Sequence, residues 1–240
     1  MNRMPRSLVR TALLLMNVSY VCCTLSCKPA STPMPSSSIT SQTVSGIDVS
    51  RYQGTIAWEK VQESGITFAI AKATQGKGYT DPTFSKNWSD IRRVGIIRGA
   101  YHYLTPDIPG DKQARHFLSV VKLKSGDLPP IVDVERIGKH SNEHLLHTLL
   151  AFRDQVLKDT GHQIMIYVSP AFWNDHLLPR LTVNLPNPLW IAEYDVEEPQ
   201  ELTNISPWSI WQYSKTGTCE GITGHVDLNR ARNIQSICIP

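Results

Sequence analysis

From residue 46 onward, short segments rich in β-branched and aromatic residues alternate with longer segments of helical pattern. This alternation is typical of parallel strand–helix–strand units, and the near-continuous apolar runs are typical of strands buried on both faces. The eight candidate strands are residues 46–50, 67–74, 96–104, 130–135, 164–169, 189–194, 209–213 and 225–228.

Helical patterns follow the first four candidate strands, at residues 58–64, 82–94, 111–122 and 142–160. After the fifth strand the spacing leaves little room for full helices. The sequence therefore predicts an α/β fold, a closed eight-stranded barrel of the TIM type that lacks helices in its last third. We expect residues 46–240 to form this single domain.

The first 26 residues have the pattern of a signal peptide. Arg3, Arg6 and Arg10 precede a mostly apolar stretch at 11–25 that carries no charge. The whole chain has a net charge of +3, and this segment holds three arginines and no acid. The remainder is therefore neutral, which argues against a nucleic-acid partner. We expect export.

The leader ends at residues 24–27 with small and apolar residues before Cys27, a pattern that resembles a bacterial lipobox. Thr24 stands where leucine is usual. Lipidation of Cys27 would anchor the protein to a membrane, whereas plain cleavage nearby would leave it periplasmic or secreted. Residues 27–45 are rich in Ser, Thr and Pro and are predicted to be a tether.

Two cysteines, Cys219 and Cys238, remain in the predicted domain. Because exported proteins meet oxidising conditions, we expect a disulfide between them, with two free buried thiols as the alternative. The chain has no CxxC motif and no metal site is predicted.

Four acids lie within the otherwise apolar candidate strands, where an unpaired charge is costly. Asp48 ends the first strand, Asp133 and Glu135 end the fourth, and Asp227 lies in the last. In barrels of this type, catalytic residues lie at the carboxyl ends of the strands. These four acids are therefore the candidate catalytic residues.

Asp133 and Glu135 are two residues apart, so both side chains leave a strand on the same face, with Cα atoms about 6–7 Å apart. Val132 and Val134 then face the helices. Two neighbouring carboxylates do not both ionise easily, so one keeps its proton near neutral pH, as a general acid for glycosidic cleavage requires. The alternative is a structural ion pair with Lys72 or an arginine.

Seven motifs occur in order along the predicted domain. They are GIDVSRYQG at 46–54, FAIAKATQG at 68–76, GAYHYL at 99–104, LPPIVDVE at 128–135, WIAEYD at 190–195, WQYS at 211–214 and VDLN at 226–229. Together they resemble the glycoside hydrolase family 25 lysozymes, the Chalaropsis-type muramidases.

This resemblance implies a flattened barrel of eight strands and five helices that hydrolyses the β-1,4 bond between N-acetylmuramic acid and N-acetylglucosamine in peptidoglycan. By motif position, Glu135 matches the family's proposed proton donor, and Asp133, Asp48 and Asp227 match its other active-site acids. No metal or cofactor is implied, and we expect a monomer.

A mechanism follows as a hypothesis. Glu135 protonates the leaving oxygen, while Asp133 is awkwardly placed to attack the opposite face of the sugar because it shares the strand face of Glu135. The substrate's acetamido oxygen then attacks instead, with Asp133 orienting it.

The candidate substrate-binding residues lie at strand ends or on the late strands, where aromatic rings can stack on apolar sugar faces. They are Tyr101, Tyr103, Tyr167, Trp190, Tyr194, Lys72 and Gln212. Tyr101 and Tyr167 are the preferred sugar contacts. Several of the aromatics are expected to be ordinary core residues instead. His102 alternates away from Tyr101 and is interpreted as a packing residue.

Two residues depart from the family pattern. Gln75 stands where Glu is common, and Ala57 replaces a common Asp. Neither is among the four acids, so these departures bear on substrate preference.

Three other functions remain open. A catalytically silent peptidoglycan-binding protein has no need of a strained acid pair. A chitinase-like barrel requires an Asp where this chain has Ile131. A metal-dependent deacetylase requires a His-His-Asp ligand pattern, which is not apparent.

Overall fold

A computed structural model gives the structure of the chain and describes residues 43–182 and 184–240. The predicted leader 1–26, the lipidation site Cys27 and the tether up to residue 42 lie outside the described residues. Strand β1 (Thr43–Val49) takes in the last three residues assigned to the tether, because Thr43, Val44 and Ser45 pair with the last strand of the sheet. The folded domain therefore begins earlier than residue 46.

The described residues form one nine-stranded sheet. The other strands are β2 (Phe68–Gln75), β3 (Tyr79–Thr80), β4 (Ile97–Tyr103), β5 (Ile131–Asp133), β6 (Met165–Val168), β7 (Leu189–Ala192), β8 (Trp208–Gly217) and β9 (Val226–Arg232). Eight of them match the predicted strands. The short β3 was not predicted.

The sheet closes into a barrel because β1 pairs with β2 in parallel and with β9 in antiparallel orientation. The pairs from β2 through β4, β5, β6 and β7 to β8 are parallel, and β8 pairs with β9 in antiparallel orientation. Strand β3 adds to β2 as the second strand of a hairpin outside the barrel. The predicted TIM-like flattened barrel is confirmed.

Six helices accompany the sheet in the described part of the chain. They are α1 (Trp58–Glu63), α2 (Phe84–Arg93), α3 (Gly110–Val120), α4 (Asn142–Thr160), α5 (Pro170–Phe172) and α6 (Ile234–Ile237). Helix α4 is delimited by its caps: the Ser141 side chain accepts the backbone N–H of His144, and Gly161 ends the helix with a φ of 73°. The first four helices match the predicted patterns.

Hydrophobic side chains form two clusters, one between the sheet and the helices and one inside the barrel. Because side chains alternate along a strand, successive residues belong to different clusters. Val132 and Val134 belong to the outer cluster as predicted, whereas Ile131 belongs to the inner one. The face of β5 that carries Asp133 is therefore the face that lines the barrel.

The predicted disulfide is wrong, because Cys219 and Cys238 are both free thiols. Cys219 packs against the outer cluster, with its sulfur 3.6 Å from the Ser64 hydroxyl, whereas Cys238 packs against the inner cluster. The two clusters lie on opposite faces of the sheet, so the sulfur atoms do not meet.

Among the described residues, no helix is long and apolar enough to cross a membrane.

Helices α3 and α4 approach closely where α3 begins. A Cβ atom on Gly110 would lie 1.9 Å from the Thr148 carbonyl oxygen, which cannot move without disturbing α4. Gly110→Ala is therefore expected to lower the free energy of unfolding by about 1–3 kcal/mol, measured by urea unfolding followed by tryptophan fluorescence. The control is Gly78→Ala, whose Cβ would meet nothing within 4 Å. Equal unfolding midpoints for the two variants would contradict this packing.

Candidate active site

The four predicted acids line one cavity of about 290 Å³ at the carboxyl ends of the parallel strands, where the antiparallel β9 begins. The sheet register accounts for their convergence. Asp48 of β1 lies directly opposite Asp227 of β9, while Asp133 is the last residue of β5 and Glu135 follows it by two positions. Closure of the barrel therefore joins acids that are about 180 residues apart in sequence.

Asp48 is held by two buried amides. Its Oδ2 atom accepts hydrogen bonds from Gln212 Nε2 and from Asn229 Nδ2, both at 2.8 Å. The far ends of these amides are also bonded: the Tyr167 hydroxyl donates to Gln212 Oε1 at 3.0 Å, and Trp190 Nε1 donates to Asn229 Oδ1 at 2.8 Å. Hydrogen-bonded side chains inside the barrel thus fix the position of the Asp48 carboxyl group.

Burial raises the pKa of Asp48 to about 8, and the negative charge of Asp227 adds to the rise. The hydrogen bonds from the two amides oppose this rise. Asp48 and Asp227 also share a hydrogen bond, which raises the pKa of Asp48 and lowers that of Asp227. Burial and the neighbouring Asp227 therefore favour the protonated form of the Asp48 carboxyl group.

Asp133 lies deep in the cavity between two tyrosines, because β5 pairs it with Tyr103 of β4 and with Tyr167 of β6. Its Oδ1 atom is buried and has no hydrogen-bond partner within residues 43–182 and 184–240. Burial and then the charge of Glu135 raise the pKa of Asp133 well above its usual range, although Lys72 opposes the rise. An unsatisfied buried oxygen in a cavity is free to receive a donor from a ligand.

Glu135 lies at the rim of the cavity, beyond the end of β5, and the residue as a whole is exposed. Even so, burial of the carboxyl group raises its pKa, Lys72 lowers it and Asp227 raises it. Burial also raises the pKa of Asp227 itself. Glu135 is the acid that combines a raised pKa with access to solvent and to an incoming ligand.

Lys72 is the cation of this cavity. Its ammonium group donates to Gln75 Oε1 at 3.0 Å and lies 4.8 Å from the ring centre of Tyr103 and 6.0 Å from that of Tyr101. The alternative of a structural ion pair is not realised, since neither Asp133 nor Glu135 forms a salt bridge in the described residues.

The predicted sugar contacts fall into two groups. Tyr101, Tyr103 and Lys72 line the cavity. The remaining four, Tyr167, Trp190, Tyr194 and Gln212, do not line it. They lie around the network that holds Asp48, where the hydroxyl groups of both tyrosines donate to Gln212.

Tyr167, predicted to be a preferred sugar contact, donates to the amide network that holds Asp48, and its contact with a sugar stays a prediction. Its ring packs 4.5 Å from that of Trp190, and only 9% of the residue is exposed.

Two site residues were missed from the sequence. Asn229 is fully buried and bonded to Asp48, and an Asn two residues after Asp227 in an apolar strand was the available signal. Tyr52 lines the cavity and is 79% exposed, carried on the short 3-10 turn Arg51–Gln53 that Ser50 caps. No strand or helix pattern marks that turn.

His102 packs away from the cavity as expected. It is fully buried, its Nδ1 atom lies 2.7 Å from Thr74 Oγ1, and its Nε2 atom lies 3.0 Å from Gln113 Oε1. Burial lowers its pKa to about 4, so the ring is neutral near pH 7. It does not serve as a base for the site.

No group of three or more His, Cys, Asp and Glu side chains within the described ranges is arranged to hold a metal ion. The chemistry of this cavity is that of carboxyl groups, one lysine and aromatic rings.

The sequence model of the family described as "Glycosyl hydrolases family 25" matches residues 47–222. The chain belongs to this family. Family 25 relatives match it over most of its length: the chain is 34% identical over 197 residues to lysozyme M1 from Streptomyces globisporus, covering 78% of this chain and 67% of that protein.

The chain is also 39% identical over 194 residues to the uncharacterized protein YegX from Escherichia coli K12, covering 79% of this chain and 70% of YegX. Among solved structures, the bacterial lysozyme from Streptomyces coelicolor superposes with a TM-score of 0.74 at 33% identity, covering 78% of this chain and 91% of that one. The resemblance seen in the motifs is confirmed, and this chain is a glycoside hydrolase.

The raised pKa of Asp48 makes the stability of this family 25 enzyme depend on pH. The folded state holds the Asp48 proton more tightly than the unfolded chain, whose carboxyl pKa is 3.8. The stabilisation that the folded state gains from holding the Asp48 proton is therefore fully present below about pH 4 and is lost as the pH rises towards 8. Asp48→Asn mimics the protonated carboxyl group, so the fall in unfolding free energy between pH 4 and pH 8 should become shallower.

Urea unfolding at a series of pH values measures this slope. Asp159→Asn, at an exposed position on α4, is the control and should keep the wild-type slope. An Asp48→Asn variant with an unchanged slope would show that Asp48 is ionised in the folded protein.

Proposed function

We propose that this protein is a peptidoglycan muramidase that cleaves the β-1,4 bond between N-acetylmuramic acid and N-acetylglucosamine. Family membership and the similarity to lysozymes support the activity class. The observation that carries the proposal is the single cavity that gathers four acids and leaves the buried Oδ1 of Asp133 without a partner.

Glu135 acts as the general acid in this proposal. Burial raises the pKa of its carboxyl group and so favours the protonated form that a general acid needs, and its position at the rim allows contact with the oxygen of the scissile bond. Lys72 limits how far the pKa rises, which leaves Glu135 acidic enough to release that proton.

Asp133 orients the substrate. Asp133 is the last residue of β5 and Glu135 follows it by two positions, so in this proposal both carboxyl groups approach the sugar from the β5 side of the cavity. In this proposal the acetamido oxygen of the muramic acid attacks the anomeric carbon as Glu135 protonates the leaving oxygen, and the acetamido N–H donates to the free Oδ1 of Asp133. Protonated Asp48 and its partner Asp227 border the same sugar.

A catalytically silent binding protein is less well supported. Buried carboxyl groups with raised pKa values destabilise a fold above their normal pKa, and a binding module gains nothing from that cost. Ile131, part of the inner cluster, remains the residue that argues against a chitinase-like site.

The protein acts outside the cytoplasm in this proposal, since its substrate is the cell wall. Export through the predicted leader, with or without lipidation of Cys27, fits that location.

Glu135→Gln removes the proton donor while keeping the size and polarity of the side chain. The loss of turbidity of purified cell walls should slow by about 100-fold or more, because general acid catalysis contributes about that factor. Binding to the walls, measured by co-sedimentation, should persist.

The matched control is Glu143→Gln, an exposed position in the first turn of α4, which should retain wild-type activity. Wild-type protein that binds walls without clearing them would favour the silent binding protein. A Glu135→Gln variant with unaltered activity would overturn the role of Glu135.

A further inference from the structure

A second cavity, of about 570 Å³, opens beside the catalytic one, and the two share Tyr52 and Lys72 as walls. We call this second cavity the side chamber. Its other lining residues include Arg51, Gln75, Lys77, Tyr79, Asp81 and Asp107. The two cavities are therefore adjacent, with Tyr52 and Lys72 at their boundary.

One wall of the side chamber is the hairpin of β2 and β3. Gln75 pairs with Tyr79, and the turn between them places Lys77 at its exposed tip. Gly76 has a φ of 55°, a conformation that favours glycine, and a Cβ there would lie 3.2 Å from both Ile108 and Thr105. The hairpin is thus seated against residues 105–108.

The side chamber holds three cations, Arg51, Lys72 and Lys77, and two acids. Both acids already have partners within the protein. Asp81 accepts the backbone N–H groups of Arg51 and Thr83, and Asp107 accepts from His140 Nε2 at 2.9 Å.

The cations are less engaged than the acids. In the described part of the chain, the Lys77 side chain makes neither a hydrogen bond nor an ion pair, and the Arg51 guanidinium bonds only to the Tyr52 hydroxyl, at 3.4 Å. The side chamber is therefore an electropositive space in which no cation is neutralised by an ion pair within the described residues.

Because Gln75 is uncharged, it leaves the positive charge of the side chamber intact. It accepts a hydrogen bond from Lys72 where the family commonly has Glu. An amide accepts a hydrogen bond from the Lys72 ammonium group but does not neutralise its charge. Since Lys72 lines both cavities, its positive charge acts on both.

We propose that the side chamber binds the stem peptide of peptidoglycan through its free carboxylates. This inference rests on the proposed function. The peptide is attached to the lactyl group of muramic acid, the sugar assigned to the catalytic cavity, so it leaves the sugar close to the shared wall at Lys72. Acidic peptides pair with Arg and Lys, and the rings of Tyr52 and Tyr79 supply apolar contact for the peptide backbone.

The test compares two substrates: peptide-bearing peptidoglycan and the same glycan stripped of its peptides by an amidase. The measured quantity is the preference ratio, kcat/KM for the first divided by kcat/KM for the second. Lys77→Gln should lower this ratio by up to about fivefold, because an exposed ion pair contributes about that factor in affinity, and the drop should shrink as salt is added.

Gln75→Glu should lower the preference ratio as well, since it adds a negative charge at the shared wall. The control is Lys158→Gln, at an exposed lysine in the last turn of α4 that does not line the side chamber. The preference ratio of this variant should match that of the wild type.

The outcomes separate the two proposals. Wild-type protein that hydrolyses neither substrate would overturn the muramidase and the side-chamber inference together. Hydrolysis of both substrates with a preference ratio that Lys77→Gln and Gln75→Glu leave unchanged would overturn the side-chamber inference and leave the muramidase standing.

Discussion

The pairing of β1 with both β2 and β9 is the interaction on which the active site depends. It closes the sheet and sets Asp48 opposite Asp227 at the mouth of the barrel. The parallel pairs on either side of β5 bring Asp133 to the same mouth between two tyrosines. An open sheet with the same strands would separate Asp48 and Asp227 from Asp133 and Glu135, and the cavity would not exist.

The barrel interior treats the acids differently: it hydrogen-bonds the carboxyl group of Asp48 and leaves one oxygen of Asp133 without a partner. Two amides, themselves held by Tyr167 and Trp190, fix Asp48. Asp133 receives no such support at Oδ1. The first arrangement orients a protonated acid next to Asp227, and the second leaves an acceptor directed at a substrate. Stability is lost at neutral pH in exchange for a cavity that is ready to bind.

Much of the barrel was predictable because each strand and helix leaves its pattern of apolar residues within one short segment of the sequence. The acids at 48, 133, 135 and 227 stood out because each interrupts an apolar run. Strand β3 was missed since two residues, Tyr79 and Thr80, carry no periodic pattern.

The remaining differences arise where an outcome depends on tertiary placement. Tyr167 and Trp190 lie on the late strands β6 and β7, and the sequence does not reveal that they bond to the two amides that hold Asp48. The disulfide failed for a similar reason: sequence places Cys219 and Cys238 near each other along the chain, yet it does not specify on which face of the sheet each one packs.

The central claim is that Asp133 and Glu135 reach the sugar from the β5 side of the cavity and that the substrate's acetamido group is the nucleophile. Proton NMR of the anomeric region during the first minutes of hydrolysis tests it most directly. Two successive displacements at the anomeric carbon predict that the newly formed reducing end first appears with the β configuration of the cleaved bond. A first product with the α configuration, formed by a single attack of water, would contradict the account.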